Sequence, residues 1–255
     1  MKLRDKTILI TGGTSGIGLE LARQLLARGN AVIVTGRNQA RLDAAKRALP
    51  GIHVFQSDVS DPLAIAALHD RVLAQFPKLD VLFNNAGVMR NLNLNQERDL
   101  NDVTREIEIN LSGPVRMVQQ FLPHLKTRKD AAIVNVSSGL AFVPLPLSPV
   151  YCATKAALHS FSQSLRVQLA GASVTVIELA PPGVETPLFR GEFEQEMKGQ
   201  KGMDVTVLAK HAIAGIEAGK LEIRPGLSNV LKIMSRVAPN FMLNQMAKMG
   251  RPQAR

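Results

Sequence analysis

The chain has 255 residues, 45% of them hydrophobic, a formal charge of +10 and one cysteine, Cys152. A single cysteine excludes an intrachain disulfide, and no apolar run reaches the roughly eighteen residues that a membrane-spanning helix needs. The positive charge raises the question of an anionic partner, but the basic residues are spread along the chain without a block, so no nucleic-acid partner is expected.

In chain order, residues 1–6 pass straight into an apolar run without the longer apolar stretch and small-residue cleavage site of a secretory signal. With the lone cysteine, this predicts a cytoplasmic protein. Strand-like runs at 7–11, 31–35, 53–57 and 81–84 alternate with helix-like runs at 16–28, 39–48 and 62–75. The strands are apolar and β-branched without polar alternation, as expected of strands covered on both faces. Helices follow near 97–110 and 111–125, then a strand at 132–137, a helix at 150–169 and a strand at 174–179. Beyond these come a variable segment at 188–203, a helix at 205–218, a short strand at 221–223 and an apolar basic segment at 227–249. The alternation predicts a single α/β domain over residues 1–255, a doubly wound parallel sheet of about seven strands with helices on both faces. After Glu222 there is no acidic residue, while Arg224, Lys232, Arg236, Lys248, Arg251 and Arg255 follow. A solvated basic tail is the simplest account of this asymmetry, with attraction to anionic lipid, nucleic acid or an acidic partner as the alternative.

Between the first strand and helix, Gly12-x-x-x-Gly16-x-Gly18 lets backbone amides approach a pyrophosphate at a helix N-terminus, where the macrodipole favours an anion. The second strand ends Val34-Thr35-Gly36-Arg37-Asn38. A carboxylate there would bond a ribose 2′-hydroxyl, whereas an arginine suits a 2′-phosphate, so NADP (NADPH) is favoured and NAD is the alternative. Tyr151 and Lys155, four residues apart, share one face of the helix at 150–169, where an ammonium beside the phenol is expected to lower its pKa. The five histidines show no metal-ligand spacing, so no metal is expected, and Cys152 reads as a packed helix residue.

Taken together across 7–186, Thr11-Gly12-x-x-x-Gly16-Ile17-Gly18, Asn84-Asn85-Ala86-Gly87, Asn110, Ser138, Tyr151-x-x-x-Lys155 and Pro182-Gly183-x-x-Thr186 resemble the short-chain dehydrogenase/reductase family in its single-domain form. Segments 135–144 and 149–157 are similar to its DltE-like bacterial subgroup, a label of gene neighbourhood that carries no reaction with it. The resemblance implies a Rossmann-type fold and hydride transfer between NAD(P) and a carbonyl or alcohol. It assigns Ser138 to the carbonyl oxygen and Tyr151 to the proton. Lys155 is assigned to the Tyr151 pKa and the nicotinamide ribose, and Asn110 to a proton-relaying water. It implies that Asp58 bonds the adenine amine, that Asn85, Ala86 and Gly87 lie against the adenine ribose, and that Pro182, Gly183, Val184 and Thr186 fix the carboxamide. Thr14, Ser15, Ile17, Asn38 and Val59 complete the expected cofactor set. Pro181 replaces the family's usual asparagine, which predicts a stiffer loop.

The expected substrate wall, Leu140, Phe142, Leu188 and Phe189 beside Ser138, with Ala141, Val143, Leu145 and Phe193, is apolar and has no carboxylate clamp. A hydrophobic ketone, aldehyde or secondary alcohol is the predicted substrate, and a regulatory protein that binds NADP(H) without turnover is the alternative. Apolar stripes at Leu111, Val115, Val118 and Leu122 and at Ala157, Phe161, Leu165 and Leu169 predict a homodimer or homotetramer. The 227–249 segment, with Met234, Phe241, Met242, Met246 and Met249, is expected to extend a second interface or to close over a neighbouring active site.

Overall fold

The computed structural model describes residues 1–193, 196 and 199–248. Met249, Arg251 and Arg255 lie outside the described residues. Seven parallel strands form one sheet in the order β3-β2-β1-β4-β5-β6-β7. They are β1 Thr7–Thr11, β2 Ala31–Gly36, β3 His53–Gln56, β4 Leu79–Asn84, β5 Ala131–Val136, β6 Val174–Leu179 and β7 Glu222–Ile223. The chain first winds outward from β1 to β3, then returns to the other side of β1 as β4. The crevice of a doubly wound sheet opens at the carboxyl ends of the strands where that direction reverses.

Both faces of the sheet are apolar because the side chains alternate between two oil layers. Ile8 and Ile10 of β1, with Val32 and Val34 of β2, pack with Leu21 and Leu25 of α1 (Gly16–Leu26), Leu42 of α2 (Gln39–Ala48) and Leu208 and Ile213 of α8 (Val205–Glu217). Leu9 and Ile33 face the other way, onto Ile65 and Leu68 of α3 (Pro62–Gln75), Met117 and Phe121 of α5 (Gly113–Leu125) and Leu165 of α6 (Pro149–Gln168). Each such side chain contributes about 1.5–3 kcal/mol of burial. The stripes read as oligomer faces are partly consumed here, since Val118, Leu165 and Leu169 lie in this second layer.

The expected helix at 97–110 starts later, as α4 Leu100–Ile107 capped by Asp99, and passes through a π-helical turn at Glu108–Ser112 into α5. The segment from 227 folds as two helices, α9 Leu227–Val237 and α10 Pro239–Lys248, and a short α7 spans Pro187–Arg190. A third apolar cluster lies off the sheet, joining Val143, Leu145, Tyr151, Cys152 and Phe193 to Leu231 of α9 and Met246 of α10.

Candidate active site

A cleft of about 870 Å³ runs along the carboxyl ends of the strands. Its floor begins at the turn after β1. Gly12 has φ +65°, and a Cβ there would stand 2.8 Å from the Ala86 Cα, so backbone meets backbone where a side chain would intervene. Gly18 is equally confined, with Asn85 Nδ2 and the Gly12 carbonyl each 2.5 Å from where its Cβ would be, but it does not line the cleft. It packs the helix against the turn. Asn38, Asp61, Asp99 and Asp204 cap α2, α3, α4 and α8 through their side chains. Ser15 at the start of α1 makes no such cap, and no acid occupies the first turn. The positive end of α1 therefore faces the cleft open to an anion. Together with the small-residue cradle, this fits a dinucleotide.

Most of the expected cofactor residues border this cleft: Gly12, Thr14, Ser15, Gly16, Ile17, Arg37, Asn38, Asp58, Val59, Asn85, Ala86, Gly87, Tyr151, Lys155, Pro182, Gly183, Val184 and Thr186. Asp58 also accepts from the Ser60 backbone N–H at 2.9 Å and from the Ser60 hydroxyl at 2.7 Å, which fixes its carboxylate at the rim. Thr186 accepts from Phe189 N at 3.3 Å and donates to the Val184 carbonyl at 3.1 Å, so its hydroxyl sets the loop before α7. Arg37 lies at the end of β2, and Arg41, one turn into α2, borders the cleft beside it. Sequence reasoning missed Arg41. The signal was the Asn38 cap, whose oxygen accepts from Arg41 N at 3.0 Å and turns that first helical turn toward the strand ends.

Ser138, Tyr151 and Lys155 meet at the inner end. Ser138 Oγ accepts from Leu140 N at 3.1 Å, which leaves the hydroxyl proton available to another acceptor. Lys155 is nearly inaccessible; its Nζ donates to the Val136 carbonyl at 2.9 Å and lies 5.6 Å from the centre of the Tyr151 ring. Burial pushes the Lys155 pKa down to about 8. The expectation of a Tyr151 pKa below its ordinary value is corrected by the burial of the site. Burial drives the phenol well above its ordinary value, and the hydrogen bond from Ser138 only partly opposes it. In one dehydrated pocket each charged form loses more hydration than its neighbour returns.

Asn110 stands behind the cleft, in the π-helical turn. Its Oδ1 accepts from Val88 N at 2.9 Å and its Nδ2 donates to the Val88 carbonyl at 2.8 Å, so the amide clamps the loop after β4. A Cβ on Gly87 would lie 3.3 Å from Asn110 Oδ1 and 3.6 Å from Lys155 Nζ, which places this glycine between the two polar groups. Cys152 is packed as expected, its sulfur 3.2 Å from Leu145 N, and burial raises its pKa to about 11.

Leu140, Leu188 and Phe189 form an apolar wall with Met89, Leu145, Leu227, Leu231 and Met246. Ala141, Val143 and Phe193 do not join it, and neither does Phe142. The 3₁₀ turn Gly139–Ala141 carries that ring away to stand edge-on to His159 at 5.1 Å, with Lys232 at 5.3 Å over its face. The 227–248 helices close over their own chain's cleft, whereas the expectation was that this segment extends a second interface or closes over a neighbouring active site. His159, Glu178 and Glu222 bring ligand atoms within 4.8 Å of one another, a cluster the spacing of histidines did not reveal. Glu222 is already paired with Arg224 at 2.8 Å and Lys232 at 2.5 Å, and His159 Nδ1 meets Glu178 at 2.6 Å. The cluster is thereby charge-matched by protein cations.

Comparison with known proteins bears on this geometry. A family model described as short chain dehydrogenase matches residues 6–197. The uncharacterized oxidoreductase DltE of Bacillus subtilis (strain 168) is 44% identical over 247 residues, covering 96% of this chain and 98% of that protein. A short-chain dehydrogenase from Sphingobium yanoikuyae in complex with NADPH superposes with a TM-score of 0.80 at 27% identity, covering 98% of each chain. A 3-ketoacyl-(acyl-carrier-protein) reductase from Brucella melitensis complexed with NADH gives 0.79 at 27% identity, covering 89% of this chain and all of that one.

Proposed function

This chain is an oxidoreductase of the short-chain dehydrogenase family, and from that premise we propose that it uses NADPH to reduce a hydrophobic aldehyde or ketone, or in reverse oxidises a secondary alcohol. The observation that carries the reading is the Ser138, Tyr151 and Lys155 set opening onto a cleft with an anion-ready floor and an apolar wall. NADPH and NADH in the related structures support a nicotinamide cofactor. Arg37 and Arg41 at the end of β2 support the 2′-phosphorylated form, because guanidinium groups make charge-assisted bonds to phosphate.

In this reading the cradle at Gly12 and Gly16 and the N-terminus of α1 hold the pyrophosphate, while Pro182 to Thr186 border the nicotinamide end. When bound, the nicotinamide supplies or accepts the hydride. Ser138 turns its hydroxyl proton from Tyr151 to the substrate oxygen, where negative charge develops. Tyr151 holds the proton to be transferred, and its raised pKa keeps that proton in place until the developing alkoxide draws it off. Lys155, buried beside it, makes loss of the proton less costly as negative charge reaches the phenol oxygen. Asn110 acts at a distance by fixing Val88 and Gly87 against Lys155. The apolar wall excludes water from the reacting carbonyl and selects against charged substrates.

The test is NADPH consumption with a panel of ketones and aldehydes, using Tyr151→Phe as the control. Turnover of apolar members that vanishes in the variant supports the reading. Absence of turnover by the wild type with bound NADPH returns the protein to a nucleotide-binding role. We also propose a cytoplasmic homodimer or homotetramer, built on the half-buried Leu111, Val115 and Leu122 of the π turn and α5 and Ala157 and Phe161 of α6. Light scattering that gives a monomer at micromolar concentration overturns it.

A further inference from the structure

The largest exposed apolar residues near the cleft lie together on its outer cover. Leu227, Val230, Ile233 and Val237 recur along one face of α9, from 48 to 74% exposed, and Phe241 and Leu243 of α10 are also exposed. The inner face of the same helices is turned inward, since Leu231 and Met246 line the cleft and Ser228 is buried. Leu227 belongs to both surfaces: it borders the cleft and is 59% exposed. The outer apolar face therefore runs without a break to the mouth of the site.

Charge identifies the occupant. Arg236 and Lys248 are exposed, and a crevice of about 320 Å³ beside the stripe is lined by Arg224, Lys232 and Arg236 together with Ile233 and Val237. Glu222 already pairs with Arg224 and Lys232, but from residue 223 onward there is no carboxylate side chain to balance Arg236 and Lys248. A second copy docking here about a two-fold axis would bring this cationic face onto itself. An anionic lipid surface satisfies both features, with phosphate at Arg236 and Lys248 and acyl chains against the aliphatic stripe. The Lys232 to Glu222 pair and the packing of Lys232 on Phe142 hold α9 to the body, so the face is presented on a fixed support.

We infer that α9 and α10 seat the protein on an anionic bilayer with the mouth of the cleft turned toward the lipid, so that apolar substrate enters from the membrane. The second half of the inference rests on the proposed carbonyl chemistry; the docking surface does not.

The experiment is cosedimentation of the full-length protein with vesicles of phosphatidylcholine alone and of phosphatidylcholine mixed with phosphatidylglycerol. Partitioning is expected to be at least about tenfold higher on the anionic vesicles and to fall with added salt. The double variant Ile233→Glu/Val237→Glu should lose that partitioning while keeping its circular dichroism and its turnover of a water-soluble aldehyde, which separates lost docking from lost folding. In the wild type, turnover of a long-chain aldehyde dissolved in the vesicles should rise with phosphatidylglycerol content. Equal partitioning on both vesicle types, or a variant that binds like the wild type, overturns the docking surface. So does a variant whose only change is a smaller assembly in light scattering, which would make the face an interface between copies. Anionic binding without turnover of any carbonyl overturns the proposed reaction and the delivery of substrate, and leaves the docking surface supported.

Discussion

The two walls of the cleft are made of different material. On the strand side, from Gly12 to Gly87, contacts are set by backbone: a Cβ at Gly12 or Gly18 would fall within 2.8 Å of neighbouring atoms, and the Asn110 side-chain amide holds the main chain of Val88 through two hydrogen bonds. On the helical side, at α7, α9 and α10, the wall is a set of apolar side chains, Leu188, Phe189, Leu231 and Met246, on helices outside the two layers packed on the sheet. A wall made of backbone accepts one shape of occupant, while a wall of methionine and leucine can be recut without moving the reacting groups. The difference teaches that chemistry and choice of substrate are separable in this fold.

The sharpest way to break that separation is Tyr151→Phe, expected to lower kcat by about 10²- to 10⁴-fold. NADPH affinity by calorimetry should stay close to the wild-type value; substantial residual turnover would move the acid to another group. Next in size is Gly12→Ala, which places an L side chain at φ +65° and drives it into Ala86. Left-handed strain and overpacking together should cost about 2–4 kcal/mol in denaturant unfolding. An unchanged midpoint would mean that the strand-side wall yields as easily as the helical one. Arg37→Ala with Arg41→Ala should weaken NADPH by about ten- to a hundredfold, from a charge-assisted bond of roughly 1.5–3 kcal/mol, and leave NADH nearly unaffected. Equal weakening of both cofactors would remove these arginines as the discriminator.

A smaller effect is expected on the helical side. Met246→Ala should raise KM for long apolar aldehydes by about tenfold while kcat for a short one holds, since a trimmed apolar pocket changes discrimination by about 1–3 kcal/mol. A parallel loss of kcat for both would show that α10 also orders the catalytic groups. Of a different kind is the proton linkage of the cofactor-free protein. Lys155 is lowered from 10.5 to about 8, so between these values the unfolded chain binds more protons than the folded one. Stability relative to Lys155→Met is therefore expected to rise with pH from about 8 to 10, by up to roughly 1.4 kcal/mol per pH unit. Above pH 10 the raised Tyr151 works in the opposite sense, because its ionisation is favoured only on unfolding. Chemical denaturation at stepped pH would detect both, and a flat profile below pH 10 would mean that Lys155 is hydrated.

The strand-side wall was legible in the sequence because its demands are local: a glycine where φ is positive, a lysine one turn after a tyrosine, a basic residue where a strand ends. The sheet followed from unbroken β-branched runs, which only a doubly covered sheet explains. The helical wall was not legible to the same degree. Leu231 and Met246 are fifteen residues apart and reach the cleft only because α9 and α10 fold back on each other, a tertiary event with no short signature. Phe142 was misplaced for a related reason, since a single 3₁₀ turn decided which way an otherwise suitable aromatic faced. The direction of the Tyr151 shift depended on how dry the closed site is, and spacing carries no information about hydration.

The π-helical turn at Glu108–Ser112 limits how this protein can change length. It amounts to one extra residue inside what would otherwise be a continuous helix from Leu100 to Leu125. Upstream of it Glu106 is buried and accepts from Arg90 N at 3.0 Å; downstream Met117, Val118, Phe121 and Leu125 are locked into the sheet. Deleting one residue would restore regular α-helix, but it would rotate one end by about 100° relative to the other. Either Asn110 would swing away from Val88 or the apolar stripe of α5 would leave its layer. Loops on the rim can gain or lose residues, whereas the stretch from Glu106 to Leu125 cannot change by a single codon without giving up one of these two sets of contacts.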